Sequence, residues 1–153
     1  MKKFLAVLLL FTFFFTSIYG QVADEKYDSV LAKNLKADDY GMKNYILVLL
    51  KPGKNTSVDK VTRDSIFHGH LNNIARLANN GSLVLAGPFG ENNLYRGLFI
   101  LNASNFDEAK KLLDTDPAIK ANLLDPEMFV WYGSASLQEV LKIHRKIQKL
   151  NFW

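Results

Sequence analysis

The sequence predicts an α+β domain: one antiparallel sheet of four strands with helices packed against it. Three observations predict it. Four apolar runs of strand length are bounded by Gly, Pro, Asn and Asp. Two long stretches between them repeat apolar residues at helical spacing. The order along the chain is strand, helix, strand, strand, helix, strand.

The chain of 153 residues begins MKKFLAVLLLFTFFFTSIYGQ. Lys2 and Lys3 lead a long apolar run, with small or polar residues before Gly20. That is the layout of a secretory signal peptide over residues 1–20, cut after Gly20, so an exported protein is expected. The run from Phe4 to Tyr19 is 16 residues, short of the roughly 20 that span a bilayer as a helix. No stable membrane span is therefore expected after cleavage. Residues 21–43 form a polar leader. Tyr27, Val30, Leu31 and Leu35 recur there at helical spacing, which predicts a short helix before the turn DDYG.

The first strand is NYILVLLK, residues 44–51, closed by Pro52. After the loop PGKNTS, a helix is expected from Val58 to Asn80, with Ser57 as its N-cap and Gly81 just beyond its end. SLVLAGPF (82–89) and YRGLFILN (95–102) are the second and third strands, a hairpin through the turn residues GENN. Ser104 opens the next helix, with Asp107 three residues on. Asp116-Pro117 restarts it, aspartate as cap and proline at the first helical position. EMFVWYGS (127–134) is the fourth strand, and LQEVLKIHRKIQKL (137–150) an amphipathic C-terminal helix within residues 135–153. This order is the split β-α-β, ferredoxin-like arrangement over residues 44–134.

The strands are apolar on both faces. Tyr45, Leu47 and Leu49 point one way, and Ile46, Val48 and Leu50 the other. Two helices cover one face only. A partner protomer or the C-terminal helix must cover the second, and a homodimer through the sheet is expected.

Composition excludes several classes. There is no cysteine, so neither a disulfide nor a lipid on a lipobox cysteine supports or anchors the fold. Net charge is +4, and +2 once Lys2 and Lys3 leave, too weak for a nucleic-acid partner. No phosphate-binding, dinucleotide-binding or nucleophile-elbow motif occurs, and no cofactor is expected. The three histidines lack metal-ligand spacing, and no metal is expected.

FHGHLNN (67–73) holds two of those histidines. At about 100° per residue, Phe67, Leu71, Ile74, Leu77 and Ala78 define one apolar arc. His70 lies inside it and His68 outside. Arg63, two turns earlier, lies on the His70 stripe. A histidine so placed is either a hydrogen-bonded core residue or a general acid/base in a cleft. Asp116 has the same ambiguity, because capping alone explains it. Gly87, at the end of the second strand, allows close approach of a ligand or a helix. His144 lies among the lysines of the last helix, where a solvated position is expected.

HLNNIARLANNGSLVLAGPFG, then GLFILNASNFDEAKKLLDTDPAIKANL, then FVWYG resembles the YCII-related (YciI-like) family. The matching positions are His70-Leu71, Gly81, Ala86-Gly87-Pro88, Gly97, Glu108-Ala109 and Asp116-Pro117. The resemblance implies a dimeric α+β barrel and an active site built on His70 and Asp116. Some members of that family act on chlorinated hydroxyquinols or resemble muconolactone isomerases, which implies lyase- or isomerase-type proton transfer. Their substrates belong to catabolism and are not carried over to an exported chain. The expectation is a small exported acid/base enzyme acting on a small cyclic or anionic molecule. His70 would move the proton, Asp116 would orient it, and Arg63 and Gly87 would contact substrate. The alternative is a non-catalytic ligand-binding or structural dimeric module of the same fold.

Overall fold

The structure, a computed structural model, describes residues 26–91 and 94–150. The expected signal segment, residues 1–20, lies outside the described residues, as do Asn92 and Asn93 of the hairpin turn. The elements are α1 (Ser29–Asn34), β1 (Met42–Pro52), α2 (Lys60–Asn79), β2 (Leu83–Pro88), β3 (Gly97–Leu101), α3 (Phe106–Leu113), α4 (Pro117–Lys120), β4 (Leu124–Ser134) and α5 (Val140–Ile147). A 3₁₀ turn, Ala135–Glu139, precedes α5. The sheet order is β2-β3-β1-β4, every neighbouring pair antiparallel, which is ferredoxin-like topology. No helix among the described residues is long and apolar enough to cross a membrane.

Two helix starts differ from expectation. The N-cap of α2 is Asp59, whose side chain accepts the Thr62 N–H at 3.0 Å. Ser57 instead donates to Asn55 Oδ1 at 3.2 Å, and Asn55 donates to the Ala121 carbonyl at 2.9 Å. The Asn55–Ser57 loop is thereby committed to the α4–β4 connection, and the helix begins later. For α3 the cap is Asn105, which accepts the Glu108 N–H at 2.9 Å, while the Glu108 carboxylate accepts the Ser104 N–H at 2.9 Å. The reciprocal pair is Asn105 and Glu108, one residue beyond Ser104 and Asp107.

The core lies between the sheet and α2, α3 and α4. Ile46, Val48 and Leu50 of β1 meet Phe99 and Leu101 of β3 beneath Leu77 and Leu113. Each such side chain, fully buried, stabilises the fold by about 1.5–3 kcal/mol. On the opposite face, Tyr45 is fully buried beside Ile100 and Val84. The 3₁₀ turn covers this end of the sheet: Leu137 packs there, and the Tyr45 hydroxyl donates to the Ser134 and Ala135 carbonyls at 3.1 and 3.3 Å. Farther along, Leu47, Leu49 and Leu98 are half-buried, and Leu85 and Phe129 are exposed. The chain's own C-terminal segment thus covers only part of the second face.

Asp38 ties the leader to β4. It accepts the N–H groups of Tyr40 and Met42, each at 2.9 Å, and the hydroxyl of Tyr132. The Tyr132 bond, then the Met42 N–H, hold the Asp38 carboxyl below its ordinary pKa, and the same bond pushes Tyr132 up. A carboxyl lowered on folding adds stability above its unfolded pKa and loses it as pH falls through the folded one. In urea melts from about pH 5 to about pH 2, Tyr132→Phe should therefore show a shallower acid loss than wild type. Parallel curves would show that the bond does not form in solution.

Candidate functional site

Asp116 caps α4 and faces α2. Its Oδ1 accepts the Ala118 N–H at 2.8 Å and the Ile119 N–H at 3.4 Å. Its Oδ2 lies 2.7 Å from His70 Nδ1 and accepts from Asn73 Nδ2 at 3.4 Å. The carboxyl is fully buried, and His70 is 8% exposed. Gly69 makes the approach of the two helices short. A Cβ there would lie 3.0 Å from Pro117 Cγ, so a larger residue between the histidines would push α4, and Asp116 with it, away.

The hydrogen-bond pattern fixes where the imidazole proton sits. Asn73 Oδ1 accepts from Arg76 at 2.7 Å, which turns the Asn73 amide N–H toward Asp116. Thr115 joins the same layer, accepting from Arg76 at 2.8 Å. Both Asp116 oxygens therefore act as acceptors, and His70 Nδ1 must be the donor. Nε2 is left with its lone pair in the neutral ring and makes no hydrogen bond among the described residues. The ring is held by Phe99, stacked at 5.9 Å between centroids, and by the edge of Phe67, also at 5.9 Å.

A cavity of about 520 Å³ adjoins His70. His70 lines it, and Asp116, bonded behind it, does not. One wall is α2, through Phe67, Leu71 and Ala78; the floor is the β2–β3 hairpin, through Gly87, Gly97 and Phe99. The third wall is α5, through Val140, Leu141 and His144. Arg145 donates to Asn79 Oδ1 at 2.5 Å and fastens α5 to the end of α2.

Of the expected site residues, the structure joins His70 to Asp116 and places Gly87 in the cavity lining. A Cβ on Gly87 would meet nothing within 4 Å, so no helix packs against it. Arg63 stands apart: it is exposed and does not line the cavity. His68 is exposed and, among the described residues, bonds to Asn72 alone, at 3.2 Å. The expectation for His144 is corrected, since it is half-buried and faces the cavity rather than solvent. Periodicity gave no reason to single out Asn73. Its position three residues after His70, on the same side of the helix, was the available signal. Among the described residues no group of three or more His, Asp and Glu side chains is placed to hold a metal.

No protein-family model matches the chain, and no curated protein matches it. Among solved structures it is similar to the 5-chloro-2-hydroxyhydroquinone dehydrochlorinase of Burkholderia phenoliruptrix AC1100, in complex with 2,5-dihydroxybenzoquinone. The identity is 19% and the TM-score 0.39, over 56% of this chain and 90% of that one. The strand order and register described above define the fold.

Proposed function

We propose that this chain is an acid/base enzyme of the YCII-related type, transferring a proton on a small, largely apolar molecule held in the cavity. The observation that carries the reading is the 2.7 Å bond from the buried Asp116 to Nδ1 of His70, a residue that lines the cavity. His70 Nε2 takes a proton from a carbon next to an activating group. The imidazolium that forms is balanced by the Asp116 carboxylate. The proton then returns to another position, an isomerisation, or a leaving group departs with its bonding electrons, an elimination. The apolar walls exclude water and strengthen the His–Asp interaction.

The test is α-proton exchange of 2-tetralone in D₂O, followed by NMR. The wild-type protein should accelerate exchange, His70→Gln should lose that acceleration by about 10²–10⁴-fold, and His68→Gln should keep it. A wild-type protein that binds the ketone without exchanging its protons would instead be a binding module.

The reading extends to a homodimer and to export. Leu85 and Phe129 are exposed beside the half-buried Leu47, Leu49 and Leu98, an apolar surface of the kind that protomers bury against each other. Sedimentation of residues 21–153 should give a dimer at micromolar concentration, and a monomer there removes this part. The lysine-led apolar run ending at Gly20 supports secretion with the signal segment removed.

A further inference from the structure

We propose that Arg96 is an anion subsite of the cavity, so that the molecule taken up is an apolar monoanion such as a ring-bearing or aliphatic acid. The proposal rests on the acid/base reading of the same cavity and names its substrate class. Among the described residues Arg96 is the one lysine or arginine lining the cavity, and no aspartate or glutamate lines it. The other arginines do different work. Arg76 and Arg145 are engaged by Asn73, Thr115 and Asn79, and Arg63 is outside the cavity. Lys51, the cation at the end of β1, is balanced by Asp125 at 3.8 Å and Glu127 at 3.6 Å. The Arg96 guanidinium makes no hydrogen bond or ion pair among the described residues.

Its backbone, in contrast, is pinned. The Arg96 N–H donates to the Leu50 carbonyl at 2.7 Å, and its own carbonyl accepts the Phe89 N–H at 3.0 Å. The side chain therefore starts from a fixed point at the end of the floor. Gly87 and Gly97 leave that floor without side chains beside it. A guanidinium offers a carboxylate two parallel hydrogen bonds, and Arg96, an exposed residue at the cavity rim, keeps its fork open to solvent and ligand.

The placement also sets a length. His70 stacks on Phe99, and Arg96, just before β3, lies three residues from Phe99, a backbone separation of about 10 Å at about 3.4 Å per residue. The fitting ligand carries its anionic group several bonds from the carbon at which His70 works. A simple α-proton donor with its carboxylate on the reacting carbon fits poorly.

Two fluorescent probes with the same rings test this. 8-Anilino-1-naphthalenesulfonate is an anion, and N-phenyl-1-naphthylamine lacks the sulfonate. Arg96→Gln should weaken the anion about tenfold, as for loss of one charge-assisted contact, and leave the neutral probe unchanged. Ala78→Trp, which fills the cavity, should weaken both and so locate them. If Arg96→Gln changes neither probe while Ala78→Trp excludes both, the anion subsite is wrong and the cavity reading stands. Anion binding that survives Ala78→Trp is elsewhere on the protein and also overturns the subsite. If the wild-type protein binds neither probe, the cavity reading and the subsite fall together.

Discussion

Asp116→Asn should lower His70-dependent proton exchange by about 10²–10⁴-fold in a protein that still folds. Asparagine caps a helix about as well as aspartate, so the start of α4 survives. The loss arises at the other oxygen. The carboxylate accepts at both ends, from Ala118 N–H on Oδ1 and from His70 and Asn73 on Oδ2. An amide has only one oxygen. If that oxygen keeps the Ala118 bond, an N–H₂ faces His70 Nδ1, which must then accept. The ring proton moves to Nε2, and the base that faces the cavity is gone. If the amide turns the other way, the tautomer survives but the cap loses its acceptor.

Either arrangement leaves a buried donor without a partner, which costs about 1–3 kcal/mol. ¹⁵N NMR of His70 distinguishes the two, because the protonated nitrogen is observed directly. A variant that exchanges substrate protons at the wild-type rate would show that the Asp116 charge takes no part in the reaction. The acid/base reading would then rest on His70 alone.

The fold was legible because its signals are local. Each strand is an apolar run closed by a glycine, proline or asparagine, and the order of the runs determines the sheet. Asp116-Pro117 and Gly81 are end signals that act through their own backbone, and both act where expected. Ser57 and Ser104 were poorer guides. Several capping residues stood next to one another, and the choice among them was made by distant partners such as the Ala121 carbonyl.

The site was half legible for a related reason. The periodicity of α2 places His70 inward and His68 outward, and the structure agrees. Yet the stripe buried against the sheet and α4 is His70, Asn73, Ile74 and Leu77, rotated from the apolar arc. The remaining apolar flank, Phe67, Leu71 and Ala78, is wider than the sheet can cover and becomes a cavity wall. A helical wheel shows which residues are apolar, not how much of the arc the neighbouring layer fills. The third wall depends on α5 crossing beside β2, and Arg96, just before β3, joins the lining at the turn end of the hairpin. Those are tertiary placements with no counterpart in local spacing.

Gly53→Ala should destabilise the protein by about 3 kcal/mol, the upper end of the usual range for overpacking and a large share of the roughly 5–15 kcal/mol that holds a domain folded. Gly53 follows β1, and its N–H donates to the Leu123 carbonyl at 2.9 Å. Two residues on, Asn55 N–H donates to the Asn122 carbonyl at 3.0 Å. A Cβ on Gly53 would sit 2.0 Å from that same Asn122 oxygen and 2.7 Å from the Leu123 carbonyl carbon. These are backbone atoms, so no rotamer change relieves the clash. The loop must separate from the α4–β4 connection and give up both bonds. Asn122 has little room to adjust, because it already holds a positive φ of 55°.

The disturbance reaches the site by a short route. Leu124, just past the connection, lines the cavity, and α4 before it begins at Asp116. Gly53→Ala should therefore slow proton exchange as well as lower the urea midpoint. Gly87→Ala provides the comparison. Its Cβ meets nothing within 4 Å, so its stability should stay within about 0.5 kcal/mol of wild type. Equal, small effects at both glycines would mean that the β1 end and the α4–β4 connection are not held together in solution. The close packing that brings α4 to His70 would then need another support.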